Sequence, residues 1–421
     1  MALRRHKYNM KHYVFTGGRI GILTPILRQE IIPGDTWFGS ISALARLKSM
    51  AEPCMHPAYL DMFFFYVPNR IVWDGWEDFI TEGNGTIPTI KASPQQADFF
   101  LMGRGSDSGT DTYNNLYMRA YYLVWNEFFR DQDWQDEVPL SNGAQMNVNE
   151  LKNYHTKFRK DDEQFAVEIQ SEEFTVSSNK GTATIQAQDV RDRLRDLRLS
   201  ERRAMFGERY FDVLRSWGIR TNYQWLDRPE YLGRARNIVS FSDIPATAAG
   251  TDVTVGDLYG HGIVGIHHRF RKRVFPEHGY LLGLAAMRFV PLMSNSTPKE
   301  ALKGSQDDYW APEYEMQSPE QLTLQNVGRS DSSTGVGYLP KFEEYRTAPN
   351  VISGNLIGPN YFSPKQVDVT DATRAAIDAI KVNPTDYDHL FNDTTAANPH
   401  FQMHVHHKLH ALRQVPRVRT A

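Results

Sequence analysis

The stretch HFQMHVHHKLHALR, residues 400–413, decides the fold class because apolar and polar side chains alternate along it. One alternating set is apolar and consists of Phe401, Met403, Val405, Leu409 and Ala411. The other set is polar and consists of His400, Gln402, His404, His406, Lys408 and His410. A period of two with one apolar side predicts a half-buried β-strand. His407 interrupts the apolar side, and we expect a bulge or an interface there.

Other segments extend this pattern into sheets. Residues 263–275 (IVGIHHRFRKRVF) alternate in a similar way, and the turn PEHG at 276–279 leads into residues 280–290, which are apolar on both sides. Residues 58–67 (AYLDMFFFYV) are aromatic and end at Pro68. Segments that are apolar on both sides predict central or covered strands. We expect Gly279 to adopt a backbone conformation that only glycine tolerates.

Helices are predicted at two places. Residues 113–129 place apolar side chains four apart, and residues 190–217 combine apolar side chains with alternating charges typical of a solvated helix face. The sum is a mainly β chain. We expect one domain over residues 1–421, with long insertions at about 69–260 and 291–398 and basic segments at both termini.

Composition excludes several classes of protein. The chain has 421 residues, 41% hydrophobic and 23% charged, with 47 basic and 50 acidic side chains. These values do not fit a disordered or a membrane protein. Cys54 is the one cysteine, which excludes an intrachain disulfide framework and a cysteine-based zinc site. The N-terminus lacks the apolar run of a signal peptide, and we expect a soluble protein from a reducing compartment.

Both termini are basic and free of acids. Clustered cations attract polyanions through counterion release, and interleaved aromatic rings such as Tyr13 and Phe15 suit stacking on single-stranded bases. A merely solvated tail is an equally good interpretation. The candidates for contact with DNA are Arg4, Arg5, Lys7, Lys11, Arg413, Arg417 and Arg419.

A second set of basic and histidine side chains fits contacts between subunits. The cluster at 269–273 can pair with acids of a neighbouring subunit, which we favour over nucleic acid. The candidates are Arg269, Arg271, Arg273, His404 and His406.

No catalytic constellation is present in the sequence. Phosphate-binding, dinucleotide-binding, nucleophile-elbow and zinc-protease motifs are all missing. His404 and His406 form an H-x-H pair that could bind a metal inside a jelly roll, as in cupin enzymes, but no carboxylate follows Asp393. We therefore predict no enzyme activity, no cofactor and no metal, with a cupin-like metal-binding enzyme as the alternative.

Several segments, in order along the chain, resemble the major capsid protein of the Microviridae, the F protein family of phiX-like and gokushovirus-like bacteriophages. No single segment is diagnostic, but their order is specific. They are GRIGILTPI (18–26), IIPGD (31–35), ALARL (43–47), LDMFFFYVPNRIVWDGWEDFITEG (60–83), RPEYLG (228–233), VFPEHG (274–279), EYR (344–346), DYD (386–388) and LRQVP (412–416).

The resemblance implies a fold and a function. It implies an eight-stranded antiparallel jelly-roll β-sandwich with long insertions, which assembles through pentamers into a T=1 icosahedral shell around circular single-stranded DNA. The implied partners are other copies of the chain, a small basic DNA-binding protein, a DNA pilot protein, spike or scaffolding proteins and a host surface receptor, without membrane insertion. The implied location is the virion, after assembly in the cytoplasm of the bacterial host.

Overall fold

Two antiparallel sheets form a β-sandwich in the computed structural model of the chain. The structure describes residues 5–103, 111–130, 135–147, 214, 227–245, 247, 255–256, 258–290, 292–293, 297–311, 320–327, 333, 335–339, 341–346, 352, 356, 366–367, 384–392 and 398–415.

Strands dominate the described residues, which confirms the prediction of a mainly β chain. In chain order they are β1 (His6–Asn9), β2 (His12–Gly18), β3 (Thr24–Ile31), β4 (Thr36–Leu47), β5 (Ala58–Pro68), β6 (Thr89–Ala92), β7 (Asp111–Asn114), β8 (Glu230–Ile238), β9 (Ser240–Pro245), β10 (Leu258–Val274), β11 (Gly279–Phe289), β12 (Leu292–Met293), β13 (Glu320–Thr323), β14 (Gly335–Leu339), β15 (Gln366–Val367) and β16 (Phe401–Arg413).

The helices are short. They are α1 (Trp76–Glu82), α2 (Pro94–Phe99), α3 (Leu116–Val124), which continues as a π-turn over Trp125–Phe129, and α4 (Leu324–Val327). Single 3₁₀ turns span Asn69–Ile71, Lys299–Leu302, Gln306–Asp308, Glu343–Tyr345 and Pro384–Leu390. Within the ranges given above, no helix is long and apolar enough to cross a membrane.

The strand order defines the sandwich. The first sheet runs β1-β16-β4-β10-β9, with β2 also paired to β16, and the second runs β3-β11-β5-β8. The chain passes from β2 to β3, β4 and β5 by changing sheet each time, and β8, β10, β11 and β16 change sheet again in the same manner. The antiparallel sandwich is confirmed, and the eight-stranded jelly roll stays a prediction.

The main core lies between the sheets. Phe401, Met403 and Val405 of β16 point inward and pack in one cluster with side chains of the second sheet, such as Phe64 and Met287. Inward residues are apolar at every second position because successive side chains of a strand point to opposite faces.

A second core lies on the outer face of the second sheet, where α3 and the segments packed beside it cover the strands; we call this cover the helical layer. Tyr117 and Tyr121 of α3 pack there against outward side chains of the sheet such as Phe65 and Leu282. The Tyr121 hydroxyl donates to the Leu23 carbonyl at 2.9 Å, which satisfies a buried polar group. Because both faces of β5 and β11 are buried, these strands have no polar side in the sequence.

Three sequence-based expectations need correction or restriction. The bulge at His407 is wrong, since β16 pairs with β4 in an unbroken register from Phe401 to Leu412, and His407 is buried and stacks on His12 at 4.3 Å between ring centroids. The predicted insertion 69–260 also contains β8 and β9, which belong to the two sheets. The helix predicted at 190–217 lies outside the described residues except Leu214.

The turn at 276–279 joins β10 to β11 as predicted, but Gly279 is needed for a different reason. Its backbone is not left-handed. A Cβ atom at Gly279 would lie 2.4 Å from the Val67 carbonyl oxygen and 2.8 Å from the Tyr66 ring. Close packing against β5 therefore requires glycine, since such distances are too short for any side chain.

Candidate functional site

No described residue outside the first sheet forms a layer over its outer face, which is the candidate site; we call it the open face. It consists of the outward side chains of β2, β4, β10 and β16 together with the approach to β2. The outward positions of these strands include no aspartate or glutamate in the part of the chain that the structure describes. Its members include Lys11, Tyr13, Phe15, Phe38, Ser42, Leu44, His267, Arg269, Arg271, His404, His406, Lys408 and His410.

Aromatic rings and imidazoles stack in cross-strand rows at one end of the open face. Phe15 of β2 lies opposite His404 of β16, with ring centroids 4.6 Å apart and an interplanar angle of 17°. Tyr13 lies opposite His406 at 4.4 Å and 17°. Phe15 is 78% exposed and Tyr13 58% exposed. These rows therefore leave much of the Phe15 and Tyr13 rings accessible to a ligand from solvent.

Each row continues across the sheet. The Tyr13 and His406 row reaches Ser42 of β4 and His267 of β10, where the Ser42 hydroxyl and the His267 Nδ1 are 2.9 Å apart. Leu44 continues the Phe15 row and is 51% exposed. A contiguous exposed apolar and aromatic surface of this kind marks a binding site more often than a bare exterior.

Cations occupy the other end of the open face. A depression of about 1060 Å³ is lined there by Phe38, Arg269, Arg271, Lys408 and His410, among others. The backbone explains this gathering, since Lys408 and Arg269 both lie opposite Ser40 of β4. The depression therefore offers positive charge to an anion that enters from solvent.

Two histidines of the open face, His406 and His410, have a pKa below the ordinary value of histidine. Desolvation, and then the charges of Lys408, His404 and Lys11, lower the pKa of His406. Desolvation, and then Lys7 and Lys11, lower the pKa of His410. A bound anion would oppose the effect of these cations and raise both pKa values.

The structure brings together residues that the sequence assigned to different roles. Lys11 from the basic N-terminal segment and Arg269, Arg271, His404 and His406 from the presumed subunit contacts all belong to the same open face. Neither assignment is tested by the fold, and both remain predictions.

Other predicted site residues have partners inside the molecule. The Arg413 Nε lies 2.9 Å from the buried Asp35 carboxylate, and its Nη2 donates to the Glu30 carbonyl at 2.6 Å. Arg273 pairs with Glu230. Arg5 donates to the Thr36 hydroxyl at 3.4 Å, and the Lys7 ammonium lies 5.5 Å from the Phe38 ring centre. Arg4, Arg417 and Arg419 lie outside the described residues.

The alternative metal site is not assembled by these residues. His404 and His406 point to the open face and not into the sandwich. Within the described ranges, no three His, Cys, Asp or Glu side chains are grouped so that they could hold a metal ion.

Sequence reasoning missed Phe38, Ser42 and Leu44, because β4 was not recognised as a strand. The signal was present: Trp37, Ile41, Ala43, Ala45 and Leu47 alternate with Phe38, Ser40, Ser42, Leu44 and Arg46. The apolar Phe38 and Leu44 at outward positions, and the small Ala43 and Ala45 at inward positions, made that alternation weak.

Comparison with known proteins gives a consistent result. The model of a family described as capsid protein (F protein) matches residues 1–167 and 174–421. Capsid protein F of Escherichia phage G4 is 23% identical over 435 residues, which cover 99% of this chain and 96% of that protein.

Two relatives from other phages share the description. Capsid protein VP1 of Bdellovibrio phage phiMH2K is 24% identical over 445 residues, covering 84% of this chain and 82% of that protein. Capsid protein VP1 of Chlamydia phage 1 is 31% identical over 160 residues, and this match covers 34% of the chain and only 27% of that protein.

Proposed function

The chain belongs to the capsid protein (F protein) family of the Microviridae and is a structural capsid protein of a phage virion, and we propose that its copies form a T=1 icosahedral shell whose inner surface includes the open face, against a circular single-stranded DNA genome. The observation that carries the proposal is the open face itself, which combines exposed stacked rings with cations and has no acid at its outward positions.

Physical chemistry supports single-stranded nucleic acid as the occupant. Phosphates match the cations around Lys408 and Arg269, and release of counterions makes such binding independent of sequence. Unpaired bases stack on exposed rings such as Tyr13 and Phe15, whereas bases inside a duplex do not offer their faces. A surface with both properties suits a single strand better than a duplex or an acidic protein.

The remaining partners follow from the family and belong to this proposal. A small basic DNA-binding protein would be repelled by the cations of the open face, so its contacts lie elsewhere on the capsid protein or on the DNA. A DNA pilot protein, spike or scaffolding proteins and a host receptor complete the set, with assembly in the bacterial cytoplasm. The shell role needs no catalysis, no cofactor and no metal.

Binding to a labelled thymidine oligonucleotide tests the proposal. We expect Tyr13→Ala and Phe15→Ala each to weaken binding about tenfold, because loss of one stacking contact costs about 1–3 kcal/mol. The matched control is Tyr309→Ala, which removes a similarly exposed ring (57% exposed) from outside the sandwich sheets and leaves binding unchanged. Equal binding by all variants would contradict the role of the open face.

The metalloenzyme alternative has its own measurement. Tightly bound metal in stoichiometric amount, lost on His406→Ala, would favour it. The structural proposal expects no such metal, and it expects the same substitution to weaken oligonucleotide binding.

A further inference from the structure

Three arginines converge on one buried carboxylate at the outer face of the second sheet, and we call this group the Arg cluster. Asp61 of β5 is the carboxylate, and it accepts hydrogen bonds from Arg234 at 2.8 and 3.1 Å, from Arg236 at 2.7 and 3.1 Å and from Arg288 at 3.0 Å. Arg234 and Arg236 come from β8, and Arg288 comes from β11. The register places them on the strands next to β5.

The Arg cluster carries more positive charge than it neutralises. Three guanidinium groups share one carboxylate, which leaves two positive charges in excess. Asp61 is the one acid that contacts these arginines within the described residues. Because Arg288 is only 5% exposed, this excess charge sits at a site that is partly shielded from water. Charge in such a place is stabilised when an anion completes the site.

The surroundings of the Arg cluster have the composition of a protein interface. The Arg234 guanidinium lies 5.1 Å from the Phe63 ring centre and that of Arg236 lies 5.0 Å from the Tyr59 ring centre, which fixes both forks in place. Tyr231 on the same strand is 47% exposed. Tyrosine and arginine are enriched in the residues that dominate binding energy between proteins, and rigid guanidinium forks match carboxylates.

The same chain carries an acidic partner surface. Asp74, Asp78 and Glu82 follow one another at intervals of four residues along α1 and the turn before it, and all three are exposed; we call them the acidic stripe. None of the three forms an ion pair within the described part of the chain. Four-residue spacing places side chains on one side of a helix.

A chain cannot bring its own acidic stripe to its own Arg cluster. Asp61 lies seven residues before Pro68, where β5 ends, and α1 follows beyond that end. At about 3.3 Å per residue this part of the strand spans about 23 Å. Two complementary surfaces at opposite ends of one rigid strand can meet only between molecules.

We propose that the Arg cluster of one copy binds the acidic stripe of a second copy, in a head-to-tail contact. This proposal rests on the proposed shell, because it names one of the contacts between neighbouring subunits. A head-to-tail contact uses two different surfaces of each copy, and it produces a closed ring when the rotation between copies closes. Such rings are the units from which icosahedral shells are built.

Charge exchange tests the contact. The first variant combines Asp61→Asn, Arg234→Glu and Arg236→Glu; the second combines Asp74→Lys, Asp78→Lys and Glu82→Lys; the third carries all six changes. Sedimentation velocity of the purified capsid protein measures association. We expect the first and second variants each to associate at least about tenfold more weakly than the unaltered chain, and the third to recover.

The controls separate folding, shell formation and this contact. Lys91→Glu reverses an exposed charge on β6 and leaves association unchanged. Circular dichroism verifies that each variant is folded. If the first variant does not fold, the second still tests the contact, because its three substituted positions are exposed. Undiminished association of the second variant, or no recovery in a folded third variant, would overturn the contact. An unaltered chain that never associates would instead count against the shell.

Discussion

The outer faces of the two sheets of the sandwich have opposite environments. The second sheet is covered by the helical layer, and residues such as Tyr121 and Leu282 have no exposed surface. Within the ranges that the structure describes, no such layer covers the first sheet, and Phe15 and Tyr13 are exposed. Among the described residues, aromatic side chains therefore stabilise the fold on the outer side of the second sheet, and on the outer side of the first sheet they are exposed and, in the proposed function, bind nucleic acid.

Removing one aromatic side chain from each side of the sandwich tests whether the two sides contribute differently to stability. We expect Tyr121→Ala to lower the free energy of unfolding by about 3–5 kcal/mol, because it creates a cavity in the helical layer and removes the hydrogen bond to Leu23. We expect Phe15→Ala to change that free energy by no more than about 0.5 kcal/mol. Urea denaturation followed by circular dichroism measures both, and equal losses would show that the two sides do not differ.

Glycine substitutions test whether backbone packing also differs between the buried strands and the open face. Gly279→Val forces a side chain against the Val67 carbonyl, and we expect a loss of about 1–3 kcal/mol in the free energy of unfolding. Gly265 lies on the open face, where a Cβ atom would meet nothing within 4 Å. Gly265→Ala is therefore the matched control, and thermal unfolding should place it near the unaltered chain. A Gly279→Val protein of normal stability would contradict the account of close packing at that turn.

The free energy of unfolding should depend on pH through the inward His407 of β16. Burial, and then the neighbouring His12, lower the pKa of His407 to about 3, from about 6.5 in the unfolded chain. The unfolded state thus binds the proton more readily, and stability that is complete above pH 6.5 falls as the pH decreases toward 3, by up to about 1.4 kcal/mol per pH unit.

His407→Leu should remove this contribution, and His406→Gln on the open face should leave it in place. Denaturation of the three proteins at pH 7 and pH 5 provides the measurement. Identical pH dependence of the unaltered chain and His407→Leu would show that His407 does not contribute to acid sensitivity.

The smallest expected effect concerns the cations. If Lys408 contacts one phosphate, Lys408→Ala should reduce the slope of log affinity against log salt by about 0.7 for a single strand. Arg273 is already paired with Glu230, so Arg273→Ala should change the slope less. Oligonucleotide titrations at several salt concentrations measure both slopes. A larger change for Arg273→Ala than for Lys408→Ala would show that the basic end of the open face does not contact nucleic acid.

The sequence predicts those strands whose own residues show a clear apolar pattern. β16, β10 and β11 were recognised because alternation or continuous apolar character reports their burial directly. Of the open face, the sequence also indicates Tyr13, Phe15 and the basic side chains Lys11, Arg269 and Arg271, but not their common location. That location depends on the pairing of β2 with β16, which are almost 400 residues apart in the chain.

Other features depend on partners that are distant in the sequence. Asp61 interrupts an apolar run, and its arginine partners lie 173 to 227 residues away. Two of these arginines, Arg234 and Arg236, give β8 a charged pattern, which explains why the sequence places residues 230–238 in an insertion. The reason for Gly279 was also hidden, because the Val67 carbonyl that excludes a side chain belongs to another strand.

Electron cryomicroscopy of particles assembled with the genome tests directly whether the open face lines the interior of the shell. We predict a closed shell with T=1 symmetry in which the first sheet faces the interior and nucleic-acid density lies against Tyr13, Phe15, His404 and Lys408. A closed shell in which these side chains face outward, or are buried between subunits away from nucleic acid, would contradict it.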